Sequence, residues 1–416
     1  MRDTELYRKI LGIEAPWRVD DVELDRAGGE IRVHLSHGEP EAPCPECGGA
    51  ARRYDTRSRR WRHLDTCQLR TVLVAEVPRV ECAEHGVHQV RVPWAEPGSR
   101  FTALFEALVI DWLHEASVAA VARHLRLSWD VVAGIMARAV ERGLARREFR
   151  LPPHLGVDET SFQKRHEYVT VLIDREGKGA VLHVADGRGR EAVDRFLTSF
   201  STEQRAAVKS FAMDMHGPYI AAVEEHLPGA KIAFDKFHVA QHLSRAVDKV
   251  RRAEHRALLA VGDERLKGTK YLWLTNPEGL SEERWEIFEP LRTGVLKTAR
   301  AWALKELAMS LWSYKRRGWG KRAWLRWYSW AIRSRLEPVR EVARMVKRHL
   351  EGILNAVVLG ATNARSEAVN AKIQWIKYTA RGFRNRDRFH AAIYFHLGDL
   401  DLYPEGLGLR AIHTRT

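Results

Sequence analysis

The chain has 416 residues, 45% hydrophobic and 29% charged, which excludes a disordered chain and allows two to four domains at roughly 100–200 residues each. Lys+Arg 68 against Asp+Glu 54 leaves a net charge of +14, with a pI near 9.7, and such an excess favours a polyanionic partner, usually nucleic acid. No apolar leader follows Met1, and the most apolar run, Phe101 to Leu113, is too short to span a bilayer and carries Glu106 and Asp111, so a cytosolic protein with reduced thiols is expected.

Residues 1–97 read as short alternating runs, with strands at Val72–Val77 and Val87–Val92. Cys44-Pro-Glu-Cys47-Gly is a C-x-x-C knuckle, and Cys82-Ala-Glu-His85-Gly repeats its spacing. Two knuckles joined by strands suit a tetrahedral zinc ribbon with Cys44, Cys47, Cys82 and His85 as ligands. His88 is an alternative to His85 at a poorer spacing, and Cys67, without a partner, reads as a plain buried thiol.

Residues 98–150 read as a helical domain. Val118, Val121, Ala122 and Leu125 fall at helical spacing, Arg126-Leu127 turns the chain, and Ser128 is placed to cap a second helix whose inward face is Val131, Val132, Ile135, Met136 and Ala139. This is a helix-turn-helix pattern, although an ordinary helical hairpin has the same spacing. As a DNA reader it puts Trp129, Asp130 and Arg138 outward, continued by a basic tail from Arg142 to Arg150.

After Pro152-Pro153 the pattern becomes three strands, helix, strand, helix, strand, a long helical block and a last helix from Asn363 to Tyr378. That is the order of an α/β, RNase H-like core (151–240 and 351–400) carrying an all-helical insertion at 241–350. Two-metal phosphodiester chemistry needs carboxylates converging on one point. Asp158 ends the first strand, Asp214 ends the fourth, and Glu367 lies in the first turn of the last helix. Together they are the candidate catalytic set, holding two Mg²⁺ or Mn²⁺. Taken singly, each is as well explained as a surface or capping acid. Asp235 and His238 form a D-x-x-H after the fifth strand and, with Asn370, are placed behind the metal ligands.

The insertion holds eight of the 14 tryptophans, and Lys315–Arg348 carries twelve Lys/Arg against Glu337 and Glu341. Aromatics among cations stack unpaired bases while the cations hold phosphates, and Trp327 is the candidate for that role. Most of these tryptophans are expected in the core. Lys377, Arg384 and Arg386 mark a second basic track near the C-terminus.

Gly156-Val-Asp158-Glu-Thr-Ser, Met213-Asp214-Met, Phe234-Asp235-Lys-Phe-His238-Val, Thr362-Asn-Ala-Arg-Ser-Glu367-Ala-Val-Asn370 and Gly382-Phe-Arg-Asn-Arg386 together resemble the motifs of the ISL3 family of bacterial insertion-sequence transposases, in the family's order. The resemblance implies a zinc finger, a helix-turn-helix and a DDE catalytic domain. It further implies binding to terminal inverted repeats as a homodimer, cleavage of the element's ends, and joining of the 3′-OH ends to target DNA at the nucleoid. His85 stands where the family usually has cysteine. Two alternatives remain on the residues alone: a junction nuclease on the same core, and a zinc and helix-turn-helix regulator without catalysis.

Overall fold

Two stretches of alternating sequence, one on each side of the helical region, become two separate sheets. The computed structural model describes residues 2–148, 150–163, 167–359 and 364–405. They divide into two units: residues up to 148 with those from 387 on, and the residues between.

In the first unit, helix α1 (Asp3–Ile10) precedes strands β1 (Trp17–Asp25), β2 (Glu30–His37), β3 (Glu41–Pro43), β4 (Ala50–Arg62), β5 (Arg70–Cys82) and β6 (Gly86–Gln89). They pair in the order β1-β2-β5-β4-β3, with β6 on β5. Trp17, Trp61 and Trp94 meet edge to face at 4.8 and 5.5 Å over Leu35, Leu73 and Val77, an arrangement the aromatic quadrupole favours. Neither α1 nor the 13-residue length of β4 and β5 was expected from the short sequence runs. Cys67 is not buried as expected but exposed. It shares a two-residue turn between β4 and β5 with Gln68, at φ 49° and 69°, where the tight reversal turns the side chain to solvent.

Three helices follow: α2 (Ala103–Glu115), α3 (Val118–His124) and α4 (Trp129–Arg146). The hydroxyls of Thr102, Ser117 and Ser128 accept from the third backbone N–H beyond them, satisfying donors that helix starts leave free. Val132, Ile135, Met136 and Ala139 are buried as the pattern requires. Glu106 of α2 is buried too, and Arg138 and Arg142 of α4 bind its two carboxylate oxygens at 2.7 and 3.0 Å.

The first unit also buries histidines. His63 lies under Thr102, and burial with the Arg62 charge pushes its pKa down to about 4; burial and His114 do the same to His396. The unfolded chain takes up these protons from near pH 6.5, while the folded unit refuses them until about pH 4. Stability is therefore expected to fall as pH drops through that window, by on the order of 2–3 kcal/mol for His63, and to be flat above it. Melting of the protein against pH checks this: His63→Gln should make the acid limb shallower, the remainder being that of His396, and an unchanged limb would assign the sensitivity elsewhere.

The second unit opens with β7 (His154–Gln163), β8 (Glu167–Asp174), β9 (Val181–Asp186), α5 (Arg190–Thr198), α6 (Thr202–Ala206), β10 (Ser210–Met213), α7 (Gly217–His226) and β11 (Lys231–Phe234). The sheet order is β11-β10-β7-β8-β9. β7, β8 and β9 form an antiparallel meander, and β10 and β11 run parallel to β7. Seven helices then precede the last carboxylate-bearing one: α8 (Lys236–Leu259), α9 (Lys270–Leu274), α10 (Glu282–Thr293), α11 (Lys297–Ser310), α12 (Arg317–Arg333), α13 (Glu337–Arg348) and α14 (Leu350–Leu359). One apolar core runs from the sheet through Leu243 and Trp273 to Trp324, Trp327 and Val342. Helix α14 seats on β11 so closely that a Cβ at Gly352 would come within 2.3 Å of the Phe234 ring. Asn355 donates to the Ile232 carbonyl at 2.8 Å, so the sheet edge is capped rather than open.

Helix α15 (Ala364–Thr379) follows; its expected start at Asn363 lies outside the described residues. The C-terminal helix, Arg386–Leu397, belongs from 387 on to the first unit, whereas the sequence pattern runs the core to 400. Phe395 stacks on His114 at 4.6 Å, and Leu400 packs where Gly143 of α4 has no side chain.

Candidate functional site

Cys44 and Cys82 each begin the same local device. The third residue on is a ligand and the fourth is a glycine in left-handed conformation, Gly48 at φ 72° and Gly86 at φ 74°, which a side chain would strain. The first knuckle closes through Gly48 N–H to Cys44 O at 2.9 Å, the second through the pairing of Cys82 with Gly86. The ligand atoms of Cys44, Cys47, Cys82 and His85 all lie within 4.8 Å of one another. Cys47 Sγ is 3.8 Å from Cys82 Sγ, which is 3.5 Å from His85 Nδ1. A tetrahedral Zn²⁺ with bonds of about 2.3 Å to sulfur and about 2.0–2.1 Å to nitrogen has edges of about 3.8 and 3.5 Å, so the donor set fits zinc. Backbone N–H groups of Glu84 and His85 hold the Cys82 thiol below the usual thiol range, which favours the thiolate a metal needs. His88 instead turns its ring to the His85 carbonyl at 2.7 Å.

In the second unit the acids come together through strand register. β10 pairs with β7 so that Ala212 faces Gly156, and with β11 so that Met213 faces Phe234. Carried forward, the register sets Asp158, Asp214 and Asp235 in one row across three adjacent parallel strands. Asp235 N–H bonds Met213 O at 3.2 Å. Strand spacing is about 4.8 Å, and the carboxyl ends of parallel strands are where α/β sheets place their ligands. Helix α15 lies against β7 with Asn370 Nδ2 donating to Asp158 Oδ2 at 2.6 Å and Gln374 to Thr160 at 3.1 Å. Glu367, one turn before Asn370, is exposed, and its charge reaches Asp235.

Burial pushes the Asp158 carboxyl up to about 6 against the lowering pull of the Glu159 N–H and His238, with Asp235 and Asp214 adding repulsion. Asp235 is raised as well, by burial first, although it accepts from Phe237 N–H and faces His238 at 3.8 Å. Desolvated, mutually repelling carboxylates are a donor set that a divalent cation relieves, so these residues fit the expected metal. They are set wider than the zinc ligands. Among the described residues only the Cys/His quartet has three or more such atoms within 4.8 Å.

Three neighbours of this row were not foreseen. Glu159 points to the other face, where Tyr219 of α7 donates to it at 3.0 Å. His242 on α8 feels both His238 and Asp214, burial holding its pKa low; its position four residues after His238 was a legible signal of one shared helix face. Arg175 contributes positive charge at Asp235.

The family profile described as "Transposase" matches residues 155–393, more than half of the chain. The chain belongs to the ISL3 family of DDE-type DNA transposases. The profile for the helix-turn-helix domain of transposase family ISL3 matches residues 90–140, and that for the zinc finger of the IS204/IS1001/IS1096/IS1165 transposases matches 40–85. The transposase for insertion sequence element IS1557 of Mycobacterium tuberculosis is 31% identical over 92% of this chain and 93% of its own length. That for IS1001 of Bordetella parapertussis is 27% identical over 93% and 98%. The Drosophila P element transposase strand transfer complex is similar at TM-score 0.40 and 9% identity, over 73% of this chain and 93% of that one, too distant to place residues.

Within this ISL3 transposase, the residues expected to meet DNA divide sharply. Trp327 is 1% exposed, its indole N–H bonded to Leu304 O at 2.8 Å; it is a core residue, which corrects the base-stacking assignment. Arg142 is buried between Glu96 and Glu106, and Arg138 serves Glu106 too. Both hold α4 to α2, so Arg142 is no phosphate contact. Trp129 lies under the Arg388 guanidinium at 4.6 Å, and Asp130 accepts from it at 2.9 Å. Lys377 donates to Ser161 O at 2.6 Å, and Arg386 pairs with Glu167 and Asp186. Arg384 is exposed. No helix among the described residues is long and apolar enough to cross a membrane.

Proposed function

We propose that the second unit is an RNase H-like core that cleaves both ends of a mobile element and joins the 3′-OH ends to target DNA. The observation that carries this is the row formed by Asp158 within β7 and by Asp214 and Asp235 just past β10 and β11, faced by Glu367 and Asn370 from α15. The order of β9, β8, β7, β10 and β11 supports the fold. Asp158, Asp214 and Glu367 would hold two Mg²⁺ or Mn²⁺ ions, which when bound supply the Lewis acidity that phosphodiester cleavage requires. Asn370 donates to one oxygen of the Asp158 carboxylate and the Glu159 N–H to the other at 2.7 Å, which together fix its orientation. Asp235, at the outer end of the row and tied to the start of α8, sets the position of His238.

The zinc ribbon and helix-turn-helix read the element's terminal inverted repeats, and two copies pair two ends at the bacterial nucleoid. Structural Zn²⁺ holds the ribbon. Membership of a DDE transposase family sets aside the non-catalytic regulator. Incubation with end DNA, Mg²⁺ and a plasmid tests the rest: joined products are expected, and cut but unjoined ends would return the junction nuclease.

Arg384 carries a further expectation. Affinity for end DNA should fall with salt by roughly 0.9 log units per log unit for each phosphate neutralised. Arg384→Gln should lower that slope by about one such step without changing sequence preference. An unchanged slope would place Arg384 away from the backbone.

A further inference from the structure

Helix α12 has two unlike faces. Gly320, Trp324, Trp327 and Ala331 are buried against the core shared with α11, α13 and α14. On the opposite side Trp319, Arg322, Arg326, Trp330 and Arg333 recur at three- and four-residue steps, which at 100° per residue brings all five into one stripe. All five are exposed. Trp319 is 55% and Trp330 53% exposed, in a domain whose Trp273, Trp324 and Trp327 are at 0–1%. The Arg322 guanidinium lies over the Trp319 ring at 4.1 Å. Neighbouring cations are neutralised: Arg317 and Lys321 by Glu351, Arg340 and Arg344 by Glu337. Arg326 and Arg333 have no carboxylate within 4.0 Å among the described residues. The stripe thus offers aromatic faces alternating with uncommitted positive charge.

We propose that this face of α12 binds unpaired DNA, with bases stacking on Trp319 and Trp330, the phosphates between them held by Arg322 and Arg326, and the next one held by Arg333. A duplex hides its base faces and offers only phosphates, which arginines alone would serve. Exposed indoles interleaved with arginines suit an unstacked strand, because every base has a π-face. A solvated basic face would need no tryptophan, and a protein partner with an acidic surface would leave the indoles unused. The stripe reaches the catalytic row through packed elements: α12 contacts α14, which contacts β11, the strand that Asp235 follows. The assignment rests on the transposase reading for its biological sense but not for its test.

The full chain, without divalent metal, is titrated with a thymidine oligonucleotide of about 15 nucleotides and separately with duplex end DNA. The Trp319→Ala/Trp330→Ala double variant should lose roughly ten-fold or more in affinity for the single strand and keep its affinity for the duplex. Stacking should quench tryptophan emission, and Trp319→Phe/Trp330→Phe should retain most of the single-strand affinity while losing that quenching. Equal losses on single strand and duplex, or an unaltered single-strand affinity in an alanine variant that melts like the parent, would overturn the proposal. Since no cleavage is involved, failure of the transposition reaction leaves this result standing, and the converse holds too.

Discussion

Cys44→Ser and His85→Ala are each expected to empty the zinc ribbon and unfold the tip of the first unit, while the second unit melts as before. The knuckles contribute little to the apolar core. Ala42 and Ala51 are their contacts with it, and Cys47, His85 and the adjoining glycines stand in solvent. What holds the turn after Cys44 against the β5–β6 turn is the four-ligand set. Structural zinc contributes apparent folding free energies of about 10–16 kcal/mol in isolated zinc fingers, far more than two short turns supply themselves. Metal analysis should fall from about one Zn²⁺ per chain to none. Proteolysis should open the chain near residues 44–49 and 82–89, and affinity for end DNA should drop. Cys67→Ser is the internal control: that thiol is exposed in the β4–β5 turn and outside the quartet, so zinc content should not move. A parent protein devoid of zinc with normal end binding would sink the ribbon.

The zinc set was legible because each knuckle is a local device, ligand, two residues, ligand, glycine, and needs no knowledge of the rest of the fold. The strands of the second sheet were legible for the same reason, as apolar runs, except that β7 does not end at Asp158 as its apolar run does but pairs with β8 as far as Gln163. What was not legible lies in long-range partners. The alignment of Asp158, Asp214 and Asp235 follows from hydrogen-bond register across three strands, and no local pattern encodes register. Trp324, Trp327 and Trp330 look equivalent at a spacing of three. Each step of three turns the helix by 300°, so Trp330 sits 120° round from Trp324 and emerges into solvent while the other two stay buried. The pairing of Arg138 and Arg142 had a signal that went unread. Glu106 interrupts the most apolar helix of the first unit, and a carboxylate buried there demands a counter-charge. Removing either arginine would leave one of the two Glu106 oxygens without its cation, so their role is in stability before it is in DNA.

Asp158→Asn, Asp214→Asn and Glu367→Gln are each expected to abolish cleavage and strand joining, and Asp235→Asn only to slow them. A carboxylate lost from a two-metal site forfeits several kcal/mol of transition-state stabilisation, roughly a thousand-fold or more in rate. Folding should survive. Burial holds the Asp158 carboxyl at about 6, so its ionised form is already disfavoured, and the neutral amide removes a cost rather than a support. Asp235 lies in the same row but is otherwise engaged. It accepts from Phe237 N–H at 2.8 Å as the cap of α8 and stands 3.8 Å from His238. Asparagine caps a helix about as well as aspartate, so Asp235→Asn preserves α8 and weakens chiefly the hold on His238. A loss of roughly 10–100-fold fits a supporting position, partly recovered when Mn²⁺ replaces Mg²⁺. The four variants are compared on precleaved and intact end DNA, with end binding measured alongside to show that the first unit is untouched. If Asp214→Asn cuts at the parental rate while Asp235→Asn is inert, the two aspartates exchange roles, and the second metal ligand is the one that follows β11 rather than β10.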